Sequence, residues 1–191
     1  VLNITATNTQ LTLMAQASTY SSDLILNGSS ISNLAYSASN ITSNITVSDT
    51  SSLTLALTNS STLSGTLSVS GNSPTLSLSA DRSTYSFTQA TIDGAGTSSI
   101  TLKNSSQWVG DIAYNSPSFH IGTTSPHNIF LNSDSHFKGN ITLQNSQILA
   151  IQSNQSTLTS IITFMQNPKE LKVALDSSKF YGGFSQATPS L

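Results

Sequence analysis

Apolar and polar residues alternate along nearly the whole chain. The pattern runs through LTL at 11–13, DLIL at 23–26, NITV at 44–47 and SLTLAL at 52–57. It continues in TLSVSG at 66–71, TLSLSA at 75–80, TYSFTQATI at 84–92, SITL at 99–102 and NITLQ at 140–144. A period of two sends successive side chains to opposite faces of a strand, and the Ser, Asn, Gly and Asp clusters between runs supply turns. Short strands are predicted from one end to the other. No segment before residue 160 carries a helical period. The predicted fold class is all-β.

One phrase recurs within this alternation. LTNSSTLSGTL (Leu57 to Leu67), LKNSSQWVGDI (Leu102 to Ile112) and LNSDSHFKGNI (Leu131 to Ile141) share a leucine, a Ser-rich polar run, then apolar-x-Gly-x-apolar. A looser copy, DSSKFYGGF, occupies 176–184. The glycines Gly65, Gly110, Gly139 and Gly182 are separated by 45, 29 and 43 residues. Two of those gaps fit two turns of about 22 residues, and one fits a single enlarged turn. A recurring local signature at loosely varying spacing separates a solenoid from a sandwich or a closed barrel. We therefore expect a right-handed parallel β-helix of about eight or nine coils, roughly 40 Å long at one strand spacing per coil. The motif residues Leu63, Leu67, Trp108, Ile112, Phe137 and Ile141 are expected to point inward. Gly65, Gly110 and Gly139 are expected at tight bends, where a missing Cβ permits unusual backbone angles.

Composition then gains a cause. Ser, Thr and Asn contribute 39, 25 and 16 of the 191 residues, while charged residues make up only 7%. Aliphatic inward positions build the core, and small hydroxyl and amide side chains cover the surface. Asn at turns tolerates left-handed angles and is expected to ladder with the next coil. The net charge is −2 and no lysine or arginine precedes Arg82. No basic patch exists to neutralise phosphates, which argues against nucleic acid as a partner. No apolar run approaches a bilayer-spanning helix, so this segment is not expected to insert into a membrane. Cysteine is absent, which suits a long continuous core and export without bridged loops.

The texture changes near residue 160. Residues 1–160 read as regular coils, 161–184 as a more charged insertion or cap, and 185–191 as a tail. In NPKELKVALDSSKF (167–180), Asn167–Pro168 followed by Glu170 suits a short helix start, while LKVAL equally reads as a strand. The chain opens in strand-like sequence without a signal-like region, so a processed or excised fragment of one domain is expected.

SSQWVGDI (105–112) and SHFKGNITL (135–143) resemble phrases of the passenger domains of Gram-negative autotransporters, in particular the pertactin-like and self-associating adhesin group. The matching positions are Trp108, Gly110 and Ile112, then Phe137, Gly139 and Ile141, with Leu63, Gly65 and Leu67 weaker. The resemblance implies export through the outer membrane by a C-terminal β-barrel elsewhere in the full-length protein, and display at the cell surface. It further implies adhesion, aggregation or biofilm formation through an exposed polar face, the partner being a second copy or a host-surface glycan or protein. The serine-protease phrase of the proteolytic branch is missing, so a non-proteolytic passenger is expected, and the sparse inventory of acids and bases argues against an enzyme. A structural spacer, a toxin passenger and a β-helical carbohydrate-active enzyme remain as alternatives.

Candidate chemistry is sparse. His120, His127 and His136 have spacings that match no standard zinc arrangement and are expected at the surface or in turns. The acidic residues are dispersed, although solenoid stacking can bring distant carboxylates together. IDGAGTSS (92–99) lacks the third glycine and following helix of a dinucleotide loop, so Asp93–Gly94 reads as a turn. The eight Asn-x-Ser/Thr sequons follow from composition. No cofactor is expected, and Trp108, whose motif equivalents are Leu63 and Phe137, is expected to be buried.

Overall fold

A computed structural model describes residues 2–93, 96–115, 126–144, 148–165 and 170–187. Every described element is a strand. In chain order, β1 (Leu2–Thr7), β2 (Gln10–Gln16), β3 (Thr19–Asn27), β4 (Ile31–Ser37) and β5 (Asn40–Val47) wind the first turns. They are followed by β6 (Ser52–Thr58), β7 (Thr62–Val69), β8 (Thr75–Asp81), β9 (Thr84–Asp93) and β10 (Thr97–Lys103). Then come β11 (Gln107–Val109), β12 (Ile112–Asn115), β13 (Pro126–Asn132), β14 (His136–Lys138) and β15 (Ile141–Gln144). The last four are β16 (Ile148–Asn154), β17 (Thr157–Met165), β18 (Glu170–Asp176) and β19 (Lys179–Ala187).

The chain alternates between two sheets. Even-numbered strands up to β10, with β13, β16 and β18, form one; the remaining eleven strands form the other. Each strand pairs in parallel with its counterpart one coil on. Contacts between successive coils join residues 21, 22 or 23 apart, rising to 29 across the enlarged coil that the Gly110–Gly139 gap predicts. The result is a parallel β-solenoid of about eight turns.

Alternation explains the core. On β5, Ile41, Ser43, Ile45 and Val47 are buried while Asn40, Thr42 and Asn44 face solvent. Like stacks on like through the coils. Tyr85 and Trp108 rings lie 5.9 Å apart, and the Trp108 and Phe137 rings lie parallel at 5.8 Å. The Trp108 indole N–H, buried with the ring, donates to the Gly110 carbonyl at 2.8 Å, so its burial leaves no lost hydrogen bond.

Each eleven-strand rung bends partway along. At that bend stand Ser22, Ser43, Gly65, Phe87, Gly110, Gly139, Ser160 and Gly182 in stacked succession. A Cβ on Gly110 or Gly139 would run into the carbonyl oxygen of Phe87 or Gly110 below it. Gly110 also has φ +126°, a region L side chains rarely adopt. Phe87 occupies the same place because the register shifts by one residue just after it, with Gly65 opposite Phe87 and Thr66 opposite Gln89. A bulge at Thr88 makes the room for a ring at a position that serine or glycine fills on the other coils.

At the corner between the sheets every coil carries a serine preceded by a left-handed residue. Ala17, Ala38, Ser60, Arg82, Ser105, Asp134, Gln155 and Ser177 have φ between 48° and 65°. The serines that follow form a ladder of backbone N–H groups donating to the next coil's hydroxyl, interrupted at the enlarged coil, where the Ser106 N–H donates to the Lys103 carbonyl instead. Ser18 reaches Ser39, Ser39 reaches Ser61, Ser61 reaches Ser83 and Ser83 reaches Ser106, at 3.1–3.2 Å. Ser135 to Ser156 and Ser156 to Ser178 repeat the bond further on. The expected Asn-to-Asn ladder is replaced by this serine ladder, because the inward side of the turn admits only a small side chain. Corner asparagines instead bond unlike partners, Asn59 to Ser37 Oγ and Asn104 to Asp81 Oδ1.

The short helix read at the C-terminal end is not formed. Glu170–Asp176 is strand β18, in register with β16, so Leu171, Val173 and Leu175 lie opposite Leu149, Ile151 and Ser153. Alternating Leu-Val-Leu prevailed over the Asn-Pro signal, whose residues 167 and 168 lie outside the described set. The segment continues the coil, and Ser185 to Ala187, expected in a tail, belong to β19.

Candidate binding face

The outward side chains of β3, β5, β7 and β9 form a grid of four rows. They are Thr19, Ser21, Asp23 and Ile25; Asn40, Thr42, Asn44 and Thr46; Thr62, Ser64, Thr66 and Ser68; and Thr84, Ser86, Gln89 and Thr91. Only Asp23 is charged and only Ile25 is aliphatic. Rows repeat at about 4.8 Å, and alternate residues along a strand recur at about 6.6 Å.

The grid is held by its own hydrogen bonds. Thr66 Oγ1 donates to Asn44 Oδ1 at 2.9 Å, and Asn44 Nδ2 donates to Asp23 Oδ1 at 3.0 Å. This three-coil relay ends on the carboxylate, the strongest acceptor available. Thr42 and Ser64 hydroxyls meet at 3.3 Å, and Ser64 Oγ also donates to the Ile41 carbonyl. Side chains fixed this way lose less rotamer freedom when another surface lands on them. Four rungs of about eight residues span roughly 20 by 26 Å, or about 500 Å2. A standard stable interface buries about 800 Å2 per partner. One such face alone supports weak association.

Three other carboxylates, those of Asp49, Asp81 and Asp111, are committed to neighbouring coils. Asp49 Oδ2 accepts from the Gly28 N–H at 3.0 Å, and Asp111 Oδ1 accepts from the Asn140 N–H at 2.7 Å. Asp81 accepts from Asn104 and pairs with exposed Arg82 at 3.4 Å. Arg82 in turn donates to Asn59 Oδ1.

The motif residues come together as core. Leu63, Trp108 and Phe137 share one inward column with Tyr85, while Leu67, Ile112 and Ile141 share another with Ala90. All six are buried, and Gly65, Gly110 and Gly139 mark the bend. His136 is exposed, and His120 lies outside the described residues. His127 departs from its expected surface position and is fully buried, its Nδ1 2.9 Å from Ser98 Oγ and its ring 4.5 Å from that of Tyr114. It stands in an inward column with Leu53, Leu76, Ser98 and Leu149, and the small Ser98 leaves space for the imidazole.

Sequence reasoning identified a polar surface without locating the Asp23–Asn44–Thr66 relay. Its signal is the 21- and 22-residue spacing of those three polar positions, visible only once coil length is known. Comparison with protein-family models, with curated proteins and with solved structures finds no match to this chain.

Proposed function

We propose that the chain is an adhesion and self-association module, displayed at a bacterial cell surface as part of a passenger and acting through the polar grid of β3, β5, β7 and β9. The observation that carries this reading is the grid itself: sixteen outward positions with a single carboxylate, its side chains prearranged by cross-coil hydrogen bonds. Two such faces approach without strong like-charge repulsion. Each hydrogen bond gained across the contact contributes about 0.5–1.5 kcal/mol net. Many copies on one cell then add avidity to a weak pair.

Sedimentation velocity over a range of concentrations tests the reading. The expected result is a concentration-dependent shift to dimer and larger species, abolished in a Thr42→Lys/Ser64→Lys variant of unchanged unfolding midpoint. A strict monomer at all concentrations, with no clumping of cells that display the chain, would favour a rigid spacer and remove self-association.

A further inference from the structure

The opposite sheet carries a feature of different chemistry. Along one outward column the exposed Met14 is followed by the small or polar Ala35, Ala56, Ser79 and Thr101, and then by Phe130 on β13. Phe130 is partly exposed, and Gln152 and then Ala174 lie opposite it on the next two coils. Two residues along, the adjoining column is Asn132, Asn154 and Asp176. These side chains line a shallow cavity of about 290 Å3, its floor lowered where Ala174 follows Phe130 and Gln152. The amides of Asn132, Gln152 and Asn154 make no side-chain hydrogen bond in the described structure, and the carboxylate of Asp176 accepts only from its neighbour Ser177 at 3.2 Å.

An aromatic ring beside a row of uncommitted amides and one carboxylate matches a ligand with an apolar face and a hydroxyl rim. We infer that this cavity binds a neutral pyranose sugar. The C–H face of the ring stacks on Phe130, and the equatorial hydroxyls bond to Gln152, Asn154 and Asp176. Amides serve such a rim because each offers both donors and an acceptor. The carboxylate accepts from two vicinal hydroxyls and repels acidic sugars. The volume lies at the lower edge of the range for small-molecule sites, about 300–1,000 Å3, which suits one sugar ring rather than a long chain. This site lies on the other sheet from the self-association grid, so either can fail without the other.

The test is titration of the full chain with the methyl glycosides of glucose, galactose, mannose and N-acetylglucosamine, by calorimetry and by saturation-transfer NMR. At least one glycoside is expected to bind, with the strongest transfer on its ring C–H protons. Phe130→Ala is expected to weaken it about tenfold and Asn154→Ala about threefold, while Phe130→Trp retains binding. Phe130 points outward, so its variants are expected to keep the wild-type unfolding midpoint. The Thr42→Lys/Ser64→Lys variant is expected to bind sugar normally. Absence of binding by all four glycosides, or equal affinity of wild type and Phe130→Ala, would overturn the assignment.

Discussion

Replacing Ser106 by alanine is the most informative single perturbation of the fold. Ser106 is fully buried, its Oγ accepts the Ser83 N–H at 3.2 Å, and it donates to the Lys103 carbonyl at 2.5 Å. Alanine removes the hydroxyl and leaves a methyl of nearly the same size, so no cavity opens. The Lys103 carbonyl keeps the N–H groups of Ser106 and Arg82, at 3.2 and 3.3 Å. The Ser83 N–H keeps nothing. A buried donor without an acceptor costs about 1–3 kcal/mol, so a loss near 2 kcal/mol is expected. With a denaturant slope of about 2 kcal/mol per molar, the urea midpoint falls by roughly 1 M. Ser86→Ala, on the outward face of the neighbouring coil that carries Ser83, is the control and is expected to stay within about 0.5 kcal/mol of wild type. Amide hydrogen exchange locates the effect, with protection lost first at Ser83. Equal midpoints for Ser106→Ala and Ser86→Ala, or unchanged protection at Ser83, would refute the ladder as a stabilising device.

Further outcomes follow from the same structure. Gly110→Ala is expected to cost about 3 kcal/mol or more, since a Cβ at φ +126° meets the Phe87 carbonyl, whereas Gly183→Ala, with open space around it, is expected to be neutral by the same urea assay. Burial raises the hydroxyls of Tyr36, Tyr85 and Tyr114 above the ordinary tyrosine range. Their stabilisation is therefore complete below pH about 10 and is lost as the unfolded chain ionises above it, at up to about 1.4 kcal/mol per pH unit for each tyrosine. Urea midpoints measured at rising alkaline pH should fall steeply, and Tyr114→Phe should flatten that fall.

Much of the fold was legible because its two periods are written in different residues. Period-two alternation at Ile41, Ile45 and Val47 gives strands, and the phrase around Gly65, Gly110 and Gly139 gives coil length. The enlarged coil appears as the 29-residue gap. What stayed hidden depends on pairs that meet only after winding. Ser39, Ser61 and Ser83 are unremarkable among so many serines until the coil places them in contact. His127 is expected at the surface or in a turn because the histidine spacing fits no metal site; its burial depends on Ser98, a residue 29 positions earlier that makes room for it. Strand β18 was ambiguous because Pro168 and Glu170 suit a helix start, and only the waiting edge of β16 decides for a strand. The polar grid was legible as composition, while its location required the register.

Disulfide trapping tests the in-register parallel stack most directly, on which both the grid and the serine ladder rest. The chain has no cysteine of its own. Thr42 and Ser64 are lateral partners on successive coils, within the Cα separation that a disulfide bridges, about 4.4–6.8 Å. The folded Thr42→Cys/Ser64→Cys variant is expected to close an intrachain disulfide under mild oxidation, seen by mass spectrometry. Thr42→Cys/Ser68→Cys, displaced by four residues or about 13 Å along the strand, is expected to stay reduced. Failure of the first pair to close, or closure of both pairs at the same rate, would contradict the stacked-coil account.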